Sequence, residues 1–137
     1  MKKPNGWKNL GTYNRYQAEE FGRFAARLKS TPEPAGEGDM LDNSLLLFGS
    51  ASSAFHLSRN YPLILAGGKS MDFKHGQYLD YAGAHAFSGS WDGGQEPWQR
   101  EFTHEDTPLA NLFLTMLHRL GIETDSFADS TGVIADV

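Results

Sequence analysis

The sequence predicts an α/β domain, a layered unit in the order helix, strand, strand, helix. Three observations carry this. Two short unbroken apolar runs, residues 44–48 (SLLLF) and 62–66 (PLILA), each stop at a glycine. Stretches with the apolar spacing of a helix lie before and after them. Loops rich in small residues follow both runs. Unbroken rather than alternating apolar runs suit strands covered on both faces, as in a parallel sheet. Two strands and two helices are few for 137 residues, so the unit reads as one domain that is part of a larger sheet.

The first helix is expected over residues 13–29. Phe21, Phe24, Ala25 and Leu28 fall at i, i+3, i+4 and i+7, one stripe to be buried, and Thr12 is placed to cap it. Glu19 precedes Arg23 by four residues, the favourable order for a helical ion pair. Gly22 costs about 1 kcal/mol relative to alanine, which marks a point of close packing against another element. Residues 30–39, with two prolines and two glycines, form a loop. The first strand ends at Gly49-Ser50, ahead of the small-residue stretch 51–54. The second ends at Gly67-Gly68, and a weaker third strand is expected near residues 77–81.

Residues 82–106 show no usable period. A structureless stretch this long is often functional or mobile. Its aromatics make Trp91 and Trp98 candidate binding residues, as a lid or a surface for a sugar or a partner; the same rings can instead pin the stretch to the body. The clearest helix follows, with Thr107 as N-cap and Pro108 at the first helical position. Leu109, Leu112, Phe113, Met116, Leu117 and Leu120 keep helical spacing, and burying each contributes about 1.5–3 kcal/mol. His118 and Arg119 suit the negative end of the helix dipole, and Gly121 ends it. A polar turn from residue 125 leads into a short apolar end.

Composition excludes several functions. There is no cysteine, hence no disulfide, zinc–thiolate site or thiol nucleophile. Residues 1–30 hold seven Lys/Arg against two Glu, a balance of +5, while residues 31–137 carry −10. The basic start suits phosphate, an acidic partner or a solvated face that pairs with the acidic remainder. A mainly acidic body argues against nucleic acid. No apolar run is long enough for a membrane span. Residues 1–11 have lysines without an apolar stretch behind them and do not make a signal peptide.

Gly67-Gly68-Lys69-Ser70 invites a phosphate-loop reading, which fails. That pattern needs a glycine five residues before Gly68, where Leu63 stands inside a strand, so no nucleotide is expected. The glycines serve a sharp strand exit instead. No serine-hydrolase elbow, zinc-protease or calcium-loop motif occurs. Of the five histidines, His118 belongs to a helix end, and His85 and His104 to the irregular stretch. His56 and His75 follow the two strands, where ligands gather in open α/β sheets. With Asp39, Asp42 or Asp72 they are the candidate metal ligands; the alternative is that each hydrogen-bonds within its own loop.

Read together, these segments resemble the HXXSHH family of bacterial proteins, in its C-terminal part. The resemblance rests on residues 41–50 (LDNSLLLFGS), His56, 61–68 (YPLILAGG), 74–79 (KHGQYL), 107–112 (TPLANL), 126–132 (SFADSTG) and the helix phrase 13–17 (YNRYQ). It implies an exported, periplasmic protein and a sheet similar to that of the alkaline-phosphatase and sulfatase superfamily. It further implies a divalent metal ion held in part by His56, acting on a phosphate or sulfate ester. The departures are the missing name-giving histidine cluster, residues 51–54 (ASSA) in place of polar residues, and Ala128 where glycine is common. They imply a truncated hydrolase-like segment without a complete active site, lacking an N-terminal half. The alternative is a non-catalytic binding or assembly module with an oligomeric or other partner, working through Trp91 and Trp98 or an exposed sheet edge.

Overall fold

A computed structural model describes residues 5–50, 61–81 and 107–137. Their elements, in order, are helix α1 (Gly6–Lys29), strand β1 (Leu45–Gly49), strand β2 (Leu63–Gly67), one 3-10 turn (Lys69–Met71) and helix α2 (Leu109–Arg119). The mixed class and the order helix, strand, strand, helix match the sequence. Strand direction does not. β1 and β2 run antiparallel, with Leu45 opposite Gly67, Leu47 opposite Leu65 and Gly49 opposite Leu63. An unbroken apolar run reports that both faces meet protein, and it is silent on which way the neighbouring strand runs.

Side chains alternate across this pair. Leu45, Leu47, Leu63 and Leu65 pack with Phe73, Leu112 and Val137, the buried centre of the core. The other face carries Leu46, Phe48, Ile64 and Ala66. There Phe21 of α1 stacks on Phe48, ring centres 4.9 Å apart. Ile64 remains 50% exposed, so this face is covered only in part. Residues 77–81 are not a third strand. They are drawn to the chain's end, where Gln77 donates to the Asp136 carbonyl and Lys74 Nζ donates to Ala135 O at 3.0 Å.

Two glycines make the narrow sheet possible. A Cβ at Gly49 would lie 2.2 Å from the Pro62 carbonyl, and one at Gly67 would lie 2.1 Å from that of Ser44. Gly67 and Gly68 also take φ of +80° and +72°, the sharp strand exit expected of them.

Helix α2 begins at Leu109, with Pro108 in extended backbone at the cap, so Thr107 is not the N-cap. It ends as expected at Gly121, whose N–H donates to His118 O while that of Ile122 donates to Leu117 O, both at 3.0 Å. Together they form a Schellman motif. Of the expected stripe, Leu112 is buried, Leu109, Phe113, Met116 and Leu117 are half-buried and Leu120 lies open. The buried side is wider than that stripe, taking in Leu114, 2% exposed, and Ala110, Asn111 and Thr115. The cause is the tail, which packs along the polar side of the helix. Asn111 Oδ1 accepts from the Thr131 N–H at 2.8 Å, and Thr115 Oγ1 accepts from that of Ile134 at 2.8 Å.

Helix α1 starts seven residues earlier than expected and buries no residue. Thr12 lies inside it, its hydroxyl donating to Lys8 O at 3.0 Å. Arg15 pairs with Glu19 at 2.7 Å and Arg23 with Glu20, in place of the expected Glu19–Arg23 pair. Of the predicted stripe, Phe21, Ala25 and Leu28 are half-buried and Phe24 is exposed. No atom lies within 4 Å of a Cβ built at Gly22, so close packing within the chain does not explain that glycine.

Candidate functional site

The antiparallel sheet brings the loop before β1 against the loop after β2. Backbone bonds join them: Gly68 N donates to Leu41 O at 3.1 Å and Ser70 N to Asp42 O at 3.0 Å. Ser70 Oγ adds a bond to Asn43 Oδ1 at 2.7 Å. Asp39 organises the first loop, its Oδ1 accepting the N–H groups of Leu41 and Asp42, each at 3.0 Å. The last lysine of α1 closes the cluster, with Lys29 Nζ 2.7 Å from Asp39 Oδ2 and 3.5 Å from Asp42 Oδ1. The ammonium and the two backbone donors hold the Asp39 carboxyl below its ordinary range, and the carboxylates raise Lys29 above its own.

His75 stands beside this cluster. Its ring Nε2 donates to the Gly67 carbonyl at 2.5 Å, which fixes the ring at the exit of β2. Asp72, at φ +59°, ends the 3-10 turn. The donors do not converge on a cation: among the described residues no group of three or more His, Asp or Glu side chains is placed to hold a metal ion. Lys29 already occupies Asp39 and approaches Asp42, and no third donor joins them, so a divalent metal does not fit this donor set among the described residues.

Antiparallel pairing also sets the two strand exits at opposite ends of the sheet, because Gly49 faces Leu63 and Gly67 faces Leu45. Strand exits alone therefore do not bring His56 and His75 together. His56, Trp91 and Trp98 lie outside the described residues. His118 donates from ring Nε2 to Thr124 O at 2.7 Å, holding the turn after α2 rather than capping the helix. Tyr81 sits where burial, and then the Asp136 carboxylate, raise its phenol above the ordinary value.

Among the described residues, α1 exposes a series of large apolar side chains. Trp7 is 74% exposed and Leu10 60%, and Tyr13, Tyr16 and Phe24 are each more than half exposed. Every residue from 5 to 20 is exposed. Trp7 and Leu10 continue toward the N-terminus the row that Phe21, Phe24 and Leu28 make, with Tyr13 beside it and Tyr16 on another side of the helix. The signal was in the sequence, since Trp7 and Leu10 extend the spacing of Phe21 and Phe24, but the glycines at 6 and 11 mask it. An isolated helix of this length is marginal in water, and most helical stability comes from packing an apolar face. Compared with protein-family models, curated proteins and solved structures, the chain matches none.

Proposed function

We propose that this chain is a non-catalytic binding or assembly module whose working surface is the aromatic face of α1. One observation carries the reading: a 24-residue helix that buries none of its residues yet presents Trp7, Leu10, Tyr13, Tyr16 and Phe24 to water. Aromatic residues and arginine are the groups that dominate protein interfaces, and Arg15, Arg23 and Arg27 share this helix. In native extracts of its source cells the protein should migrate in an assembly larger than the single chain. Leu10→Glu, on a side chain 60% exposed and therefore harmless to the chain's own fold, should release it. Wild-type protein migrating as a lone chain would sink the reading.

A second reading keeps the resemblance to the HXXSHH family. Here the chain is the C-terminal part of a hydrolase-like domain, and β1 and β2 belong to a larger, alkaline-phosphatase-like sheet. The observation favouring it is His75, its ring held at the exit of β2. Any metal would depend on His56 and on residues beyond the cluster around Lys29. This reading expects one divalent ion per protein, lost on His56→Ala; equal metal content in wild type and variant counts against it.

A further inference from the structure

Trp7, Leu10, Asn14, Gln17, Phe21, Phe24 and Leu28 follow one another at intervals of three, four, three, four, three and four. That is an unbroken heptad seam over three heptads, the pattern by which two helices interlock. The outer positions are aromatic or leucine, and the two central ones are amides. Beside the seam on one flank, at each seventh residue, stand Gly11, Ala18 and Ala25, small enough for a second helix to come close. A Cβ at Gly11 would meet nothing within 4 Å, so the chain's own packing does not call for that glycine.

We infer that the seam is occupied by the α1 helix of a second copy of this chain, packed antiparallel about a two-fold axis between residues 15 and 16. This rests on the assembly-module reading and names its partner. In that register Trp7 faces Phe24 of the second copy, Leu10 faces Phe21, and Asn14 faces Gln17, each pair formed twice. The amide layers would also meet in a parallel, in-register pair. That pair sets the Phe21–Phe48 stacks of both copies against each other at one end of the seam, whereas the antiparallel one sets each beside the exposed first turns of the second copy. The other flank brings Tyr13 of one copy beside Glu20 of the second, so no like charges meet along the seam. The exposed aromatics offer on the order of 500 Å² per copy. With the neighbouring polar side chains this approaches the roughly 800 Å² per partner of a stable interface. The chain's own sheet covers the far end of the seam only in part: Phe21 stacks on Phe48, while Phe24 and Ile64, which pairs with Phe48 across the strands, stay half exposed. Trp7 and Leu10 of a second copy would extend that cover.

The test uses the purified full chain. Sedimentation should give twice the chain mass for wild type and a single chain mass for Leu10→Glu, which should still unfold cooperatively. Because the chain has no cysteine, Asn14→Cys and Gln17→Cys each introduce a sole thiol. An oxidised mixture of the two variants should give mainly the mixed 14–17 disulfide. Predominant 14–14 and 17–17 disulfides would overturn the antiparallel register. Wild type that stays single at every concentration, or Leu10→Glu that still dimerises, would overturn the second copy as occupant. The module reading falls separately, only if the native protein also migrates as a lone chain.

Discussion

Asn111 is the residue on which the C-terminal third depends. It is 5% exposed, and its amide oxygen accepts the N–H groups of Thr131 and Gly132 at 2.8 and 3.4 Å while its nitrogen donates to Thr131 Oγ1 at 3.1 Å. Thr115, one turn on, donates to Asn111 O at 2.7 Å and accepts from Ile134. Removing a partner that satisfies buried backbone groups costs more than the bond itself, because the orphaned donors lose water as well. Asn111→Ala should therefore destabilise the fold by about 2–3 kcal/mol, read as a lower denaturant midpoint. The turn held by this clasp contains Ala128 at φ +49°, a conformation that glycine adopts without the steric cost to Cβ.

At the scale of elements, glycines separate the two helical and strand environments. Gly22 sits in a helix with open space about its Cβ position, so only helix propensity acts there. Gly22→Ala should stabilise the chain by roughly 1 kcal/mol. Gly67 sits at φ +80° with a carbonyl 2.1 Å from where a Cβ would be. The same substitution at Gly67 should cost about 3 kcal/mol, from left-handed strain and overpacking together. Thermal or chemical unfolding of the two variants would read the opposite signs directly. Equal effects would mean that α1 is packed in solution in a way its own chain does not account for.

Across the whole molecule, the Lys29–Asp39–Asp42 cluster ties the end of α1 to the loops at one end of the sheet. Asp39 has a lowered folded pKa, so its contribution is complete above the ordinary carboxylate value and is lost as pH falls through the folded value. Lys29 has a raised one, so its contribution is present below the ordinary lysine value and is lost as pH rises through the folded value. The cluster should stabilise the fold through the neutral range and weaken at both extremes. Asp39→Asn should flatten both limbs of the stability profile measured by denaturant unfolding across pH. A profile unchanged by that substitution would show that the cluster does not couple α1 to the sheet.

The sequence by itself determined the element order, the two strand exits at Gly49 and Gly67-Gly68, and the end of α2 at Gly121. Each is a local matter, fixed by apolar period, by the φ a residue must adopt or by the room beside its Cα. It also contained the full α1 seam, although the early glycines hid the helix's first turns. Only the tertiary structure decided the antiparallel direction of the strands, since apolar runs encode burial and not polarity. It alone decided that Asn111 and Thr115 are buried beside Leu112 of the expected stripe, because their partners are backbone groups some twenty residues away. Lys29, Asp39 and Asp42 are equally illegible in advance: a carboxylate reads as a metal ligand or an ion-pair partner until the fold shows which cation it meets.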